Sequence, residues 1–255
     1  MLNRMRVLGP DEVQVGCRTT EHFDEAALGE AVALLSPAEC ARYGRFRFAR
    51  DRRDYAAAHA LLRTSLSRFG APAPEAWTFA AHARGKPSLA SGAAASLSFN
   101  LSHTHGMVAC AIAPGADIGV DVERVDRPLD EEALATRFFA AVEQAHLRRC
   151  APAQRAIRFF ELWTLKEAYL KAIGVGLSHS LSEMAFELDD GHGIAFVPPP
   201  GIDSRGWQFA LFEPAPRYRL AVAVRRTRGE PWRITATVTA GGHETSIAAA
   251  RSSVG

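Results

Sequence analysis

Several short segments of the chain carry residue types that do chemistry. In Gly119-Val-Asp121-Val-Glu123, two carboxylates stand two residues apart. On a β-strand that spacing turns both to one face. Carboxylates held side by side repel unless a cation neutralises them. Oxygen donors of this kind suit Mg²⁺ or Mn²⁺, although an edge strand with an acidic, solvated face fits the same spacing. In Trp163-Thr-Leu-Lys166-Glu167-Ala-Tyr-Leu-Lys171, Glu167 and Lys171 lie four apart and share a helix face. That pairing offers a carboxylate for metal beside a lysine for phosphate, or an ordinary surface ion pair. Phe99-Asn-Leu-Ser102-His103-Thr104 brings a hydroxyl and an imidazole together. They suit a phosphate monoester, or a turn capped by Ser102. A serine nucleophile with an adjacent histidine base has poor geometry, and no GxSxG elbow occurs. Finally, Arg42, Arg45, Arg47, Arg50, Arg52 and Arg53 crowd one stretch, either as a solvated helix face or as an anion site.

The elements that must position these groups follow from pattern. Ser36-Pro37-Ala38-Glu39 reads as a helix start with a capping box and proline at the first turn. Asp54 onward is strongly helical, with Ala58, Leu61, Leu62, Leu66 and Phe69 on one apolar stripe, and Gly70 ends it. Strands are expected around Val13, at 77–80, 97–101, 107–113 and 118–123, and helices over 131–150 and 154–173. Further strands are expected at 184–188, 194–197, 207–212 and 219–224. A segment at 232–238 can add one more, and the chain from Thr245 is expected to be loosely ordered. Each half reads as a long helix followed by strands, an α+β arrangement of two similar subdomains: 1–115, then 116–227 with the acidic residues, then an extension at 228–255.

Composition narrows the function classes. With 30 basic and 28 acidic residues the net charge is only +2, so nucleic-acid binding driven by bulk charge has no support. The four cysteines are scattered, without a CxxC pair, which fits a reduced, cytoplasmic protein better than a disulfide framework or a zinc site. No apolar run is long enough for a signal peptide or a membrane span. No GxxxxGK[ST] occurs, so an ATP-binding P-loop is not supported.

The motifs taken together, in order, say more than any one. Gly85-Lys86-Pro87, Phe99-Asn-Leu-Ser-His103, Gly119-Val-Asp-Val-Glu123 and Trp163-Thr-Leu-Lys-Glu-Ala-Tyr-Leu-Lys171 resemble the 4′-phosphopantetheinyl transferases of the Sfp type. The resemblance runs from about residue 36 to 224 and includes Arg137-Phe138-Phe139 and Glu143. It implies a pseudo-dimer of two α+β subdomains. It also implies transfer of the phosphopantetheine arm of coenzyme A to a serine of an acyl or peptidyl carrier protein, releasing adenosine 3′,5′-bisphosphate. On this resemblance Asp121, Glu123 and Glu167 are the Mg²⁺ ligands, with Glu143 near the metal through water. Glu167 resembles the general base, and Lys171 reaches the pyrophosphate. Ser102 and His103 hold the 3′-phosphate, while Lys86 and Arg53 serve the phosphates and adenine end, with Arg50 and Arg52 as rivals of Arg53. Lys166 is a cation for coenzyme A. A monomer is expected, without nucleic acid or membrane as partner. Fatty acid, polyketide, nonribosomal peptide and siderophore pathways all remain open. The competing readings are a metal-dependent phosphodiesterase or nuclease, and a carrier-binding module without catalysis.

Overall fold

The structure is a computed structural model that describes residues 7–21, 23–70, 72–81, 87–90, 96–175, 181–189, 191, 193–225 and 230–253. It is α+β and divides into two compact units. One comprises residues 1–115 with 233–247, the other 116–232 with 248–255.

The first unit is a helix laid on a sheet. Its strands are β1 (Glu12–Thr19), β4 (Leu97–Thr104), β5 (Met107–Pro114), β11 (Arg233–Ala240) and β12 (His243–Ile247), in the order β12-β11-β1-β5-β4. The helix α3 (Ala49–Phe69) packs Leu62 and Leu66 against Phe99, Cys110 and Ile112. Before it run α1 (Glu25–Ala33) and α2 (Pro37–Tyr43). The capping box at Ser36 forms as its residues require: the Ser36 hydroxyl accepts from Glu39 N, and the Glu39 carboxylate accepts from Ser36 N. That carboxylate also takes Arg63 Nη2 at 2.7 Å. Arg63 is 1% exposed and donates to the carbonyls of Pro74 and Trp77 as well, so one buried guanidinium ties α2 and the chain beyond α3 to the helix. A small hairpin of β2 (Phe79–Ala81) and β3 (Pro87–Leu89) completes the unit.

The second unit repeats the plan with a smaller sheet. Its strands β6 (Ile118–Arg124), β9 (Trp207–Phe212), β10 (Tyr218–Arg225) and β13 (Ala249–Ser252) run in the order β13-β9-β10-β6. The helix α6 (Pro152–Ile173) lies on it and ends at Gly174, whose φ of 72° is the left-handed cap that glycine tolerates. The hairpin of β7 (Ala185–Leu188) and β8 (Ile194–Val197) and the helices α4 (Glu131–Phe138) and α5 (Ala141–Arg149) pack around α6. One helix was expected over 131–150; there are two. Phe139 and Ala140 are extended because the buried Phe139 ring stacks on Phe159 at 5.0 Å, and Glu143 caps Ala140 N at 2.9 Å.

The expected C-terminal extension is corrected by the sheets. β11 pairs parallel with β1, β12 pairs with β11, and β13 pairs with β9. Residues 233–247 therefore belong to the first unit and 248–253 to the second. Trp232 anchors the start of this segment, exchanging backbone bonds with the Gln208 side chain and donating its indole N–H to Arg225 O.

The fit of α6 on β6 is set by a missing side chain. A Cβ on Gly119 would stand 2.0 Å from Ala168 O and 2.5 Å from Ala172 N, distances no packed atoms occupy. Gly119→Ala must push helix and strand apart. It is expected to cost about 3 kcal/mol in urea unfolding; a midpoint equal to wild type would show that this contact does not set the packing.

Candidate active site

Gly119, Asp121 and Glu123 share one face of β6 by strand alternation. Since Gly119 meets the backbone of α6, that shared face is the one α6 covers. β6 is an edge of its sheet, yet its acidic face is not solvated: Asp121 is only 5% exposed. The alternative of an exposed acidic strand face is thereby set aside for Asp121.

Lys171 reaches across from α6. Its Nζ donates to Asp121 Oδ1 at 2.7 Å and to Val120 O at 3.2 Å. Glu167, one turn earlier on the same helical face, has a buried Oε1 that accepts no hydrogen bond. Burial pushes its carboxyl up to about 7; the Asp121 charge adds to this and Lys171 opposes it. With Glu167 ionised, two largely buried carboxylates stand beside the Lys171 ammonium and repel each other. That repulsion and the unbonded Glu167 oxygen fit a cation bound by oxygen donors.

Glu123 sits differently. It continues the face, but its Oε1 pairs with Arg127 at 3.2 Å, and its register partner on β10 is Arg219. Among the described residues, no three acidic, histidine or cysteine side chains converge as a ready-made metal cage. Arg127, whose guanidinium also lies over the Phe160 ring at 5.1 Å, escaped the sequence reading. Its signal was the four-residue spacing from Glu123, which is informative on a helix but not at a strand end.

Two expected site residues are corrected. Lys166 is wholly buried, and its Nζ bonds Leu181 O, Met184 O and Glu143 Oε2 at 2.7, 2.7 and 2.8 Å. An ammonium has three donors, so none is left for coenzyme A. Glu143 is equally occupied, accepting from Ala140 N and Phe186 N as well as from Lys166. Burial pushes the Glu143 carboxyl up and the Lys166 ammonium down, and in each the partner's charge works against that shift. Glu143 borders a cavity of about 670 Å³ between α5 and the β7–β8 hairpin, whose lining includes neither Asp121 nor Glu167.

In the first unit, Ser102 and His103 are adjacent on β4 and therefore face opposite sides: Ser102 is buried and His103 exposed. Only the imidazole of the two offers its side chain to solvent. Among the rival arginines, Arg50 pairs with Asp51 at the surface and Arg52 reaches Phe46 O. Arg53 has a buried Nε with no acceptor. Arg45 and Arg47 are exposed, and Arg47 and Arg50 flank the exposed ring of Phe48. Lys86 lies outside the described residues.

Comparison with known proteins bears on what such a site serves. The profile of the 4′-phosphopantetheinyl transferase superfamily matches residues 117–223, which hold the carboxylates and Lys171, and that of the 4′-phosphopantetheinyl transferase N-terminal domain matches residues 24–115. A phosphopantetheinyl transferase from Thraustochytrium sp. is 31% identical over 78% of this chain and 73% of its own length. The chain belongs to the 4′-phosphopantetheinyl transferase superfamily. The 4′-phosphopantetheinyl transferase psf-1 of Bacillus pumilus is 32% identical over 71% of this chain and 75% of its own. The 4′-phosphopantetheinyl transferase HetI of Nostoc sp. is 40% identical over 60% of this chain; the match spans 65% of HetI, a little under two thirds. The nuclease and carrier-binding-module alternatives gain no support from these relatives.

The Glu167 shift makes a stability prediction for the metal-free transferase. Unfolded, Glu167 loses its proton near 4.5; folded, near 7. The folded state therefore binds more protons within this window, and stability is lost as pH rises through it. In chelator, Glu167→Gln should be more stable than wild type by about 2 kcal/mol at pH 8, with the gap closing below pH 4.5. Urea unfolding at both pH values measures this, and a gap independent of pH would place the carboxyl in its ordinary range.

Proposed function

We propose that Asp121, Glu167 and Lys171 form the reaction centre at which the phosphopantetheine arm of coenzyme A passes to a serine hydroxyl of an acyl or peptidyl carrier protein. As a member of this superfamily the chain is a transferase, moving phosphopantetheine to carrier proteins. In the reaction the serine oxygen forms a bond to the phosphorus that bears the pantetheine arm. The bridging P–O bond of the pyrophosphate breaks, and adenosine 3′,5′-bisphosphate leaves. The observation that carries the assignment is the buried Glu167 oxygen without a hydrogen bond, beside a second carboxylate and a lysine.

Each side chain has a part in that step. Lys171 is a half-buried ammonium that can turn from Asp121 to the pyrophosphate oxygens and neutralise charge as it develops. Glu167 takes the serine proton, directly or through a water it holds, its unbonded Oε1 being the acceptor. Asp121 and Glu167 would hold Mg²⁺, joined by Glu123 on release from Arg127, and the ion supplies electrostatic stabilisation of the pyrophosphate. His103 and Arg53, with Ser102 and Lys86 in supporting places, serve the 3′-phosphate and adenine end of coenzyme A. The exposed imidazole and the guanidinium N–H without an acceptor favour this assignment. Among the described residues no helix is long and apolar enough to cross a membrane, and the cytoplasmic, monomeric state expected from sequence belongs to the same reading.

Incubation with coenzyme A, Mg²⁺ and a panel of apo carriers should add about 340 Da to at least one carrier, the mass of the transferred group. The carrier that responds indicates whether the pathway makes fatty acids, polyketides, nonribosomal peptides or siderophores. Asp121→Ala and Glu167→Ala should each lower kcat by at least ~100-fold in a protein that still folds. Unchanged turnover in either would remove that residue from the centre. His103→Ala should raise the KM for coenzyme A by about tenfold but leave that for dephospho-coenzyme A unchanged. Equal effects on both donors would end the 3′-phosphate assignment.

A further inference from the structure

The Lys166–Glu143 pair buries two charged groups in the second unit, and the proposed reaction makes no direct use of it. Both side chains are at most 1% exposed. Burying two charges is poorly repaid relative to apolar residues of the same size, so stability alone does not explain the pair. Its directionality does. Lys166 leaves α6 one residue before Glu167. Its Nζ grips Leu181 O and Met184 O, both at the short helical turn ahead of β7, and Glu143 on α5. Glu143 in turn takes Ala140 N and Phe186 N. Two elements, α5 and the turn ahead of β7, thus meet α6 through one ammonium, and β7 joins them through Glu143.

On its sheet side α6 is held differently. Gly119 meets Ala168 and Ala172 there. Small residues set a close distance at that point, while large buried side chains such as Phe160, Leu165 and Tyr169 pack the rest of the helix. Glu167 Oε1 has no hydrogen bond to fix it, so its position follows the helix. A rotation of α6 would carry Glu167 and Lys171 away from Asp121; the Lys171 bonds to Asp121 and Val120 O oppose it on the sheet side, and the Lys166–Glu143 pair opposes it from α5.

We propose that the buried Lys166–Glu143 pair is a positioning device: it fixes the rotation of α6 that aims Glu167 and Lys171 at Asp121. The inference rests on the reading of Glu167 as part of the reaction centre. Lys166 and Glu143 are positioning residues, acting through their neighbour and not on substrate.

The test compares wild type, Glu167→Ala and the double variant Lys166→Met/Glu143→Gln, which removes both charges together. Thermal unfolding selects an assay temperature at which each protein is fully folded. The folded double variant should lose about 10- to 100-fold in kcat, with the KM for coenzyme A unchanged within about twofold. Its affinity for Mn²⁺, read by electron paramagnetic resonance without turnover, should fall by at least about fivefold. A folded double variant with wild-type kcat and Mn²⁺ affinity would overturn the proposal and leave the pair a packing feature. If Glu167→Ala itself stays active, the reading of the centre fails and the positioning role goes with it. Should the double variant not fold, Glu143→Gln alone decides. It is isosteric and keeps an acceptor for Phe186 N; lowered kcat and Mn²⁺ affinity in the folded protein support the proposal, and wild-type values overturn it.

Discussion

The backbone of α6 rests on β6 at Gly119 with no side chain between them, and the chemistry of the second unit depends on that contact. It brings one turn of helix close enough for Lys171 to span to Asp121 at 2.7 Å. It also excludes water from the acidic face of β6. Desolvation then does what a solvated strand face cannot: it raises the Glu167 carboxyl and makes its repulsion with Asp121 costly. The same geometry leaves Glu167 Oε1 without a hydrogen bond, the feature on which the proposed cation site rests.

Two kinds of buried charge in this unit illustrate opposite uses. Around Asp121 and Lys171, Glu167 keeps a buried oxygen without a hydrogen bond, which suits the proposed transfer site, where charge would enter and leave with each turnover. Lys166 and Glu143 lie one helical face away and are completely satisfied, with every ammonium proton and both carboxylate oxygens bonded. Satisfied charges inside a protein are rigid, since moving either partner exposes an unpaired ion to low dielectric. A rigid pair of this kind, one residue from Glu167 on α6, is what the proposed positioning role requires.

In the first unit the buried Arg63 has a role comparable to that of Lys166. It gathers backbone carbonyls and the Glu39 capping carboxylate around α3, while the arginines earlier on that helix and in the turn before it are mostly exposed. The sequence stretch that looked uniformly basic is therefore divided by helical phase. Arg53 turns inward far enough to bury its Nε, whereas Arg50 meets Asp51 at the surface.

The sequence by itself determined the family, the α+β class and the capping box at Ser36, and it proposed Asp121, Glu123, Glu167 and Lys171 as the chemical set. These rest on local spacing and on motif order, which survive without coordinates. Three things were decided only by tertiary structure. Lys166 and Lys171 are both lysines on one helix, and only the helical phase against β6 and β7 shows that one is sealed and the other faces Asp121. Glu143 and Glu167 are likewise indistinguishable by type, but the first is saturated by backbone N–H groups from elements distant in sequence. The last strands were legible only in part: β11 was offered by the apolar alternation over 232–238, whereas β12 and β13 escaped local reading because their residues are exposed or half-exposed and lack an alternating apolar pattern. They form because β1 and β9 offer open edges whose backbone groups must be paired. Local patterns fix which groups are available; burial and long-range pairing decide which of them remain free to react.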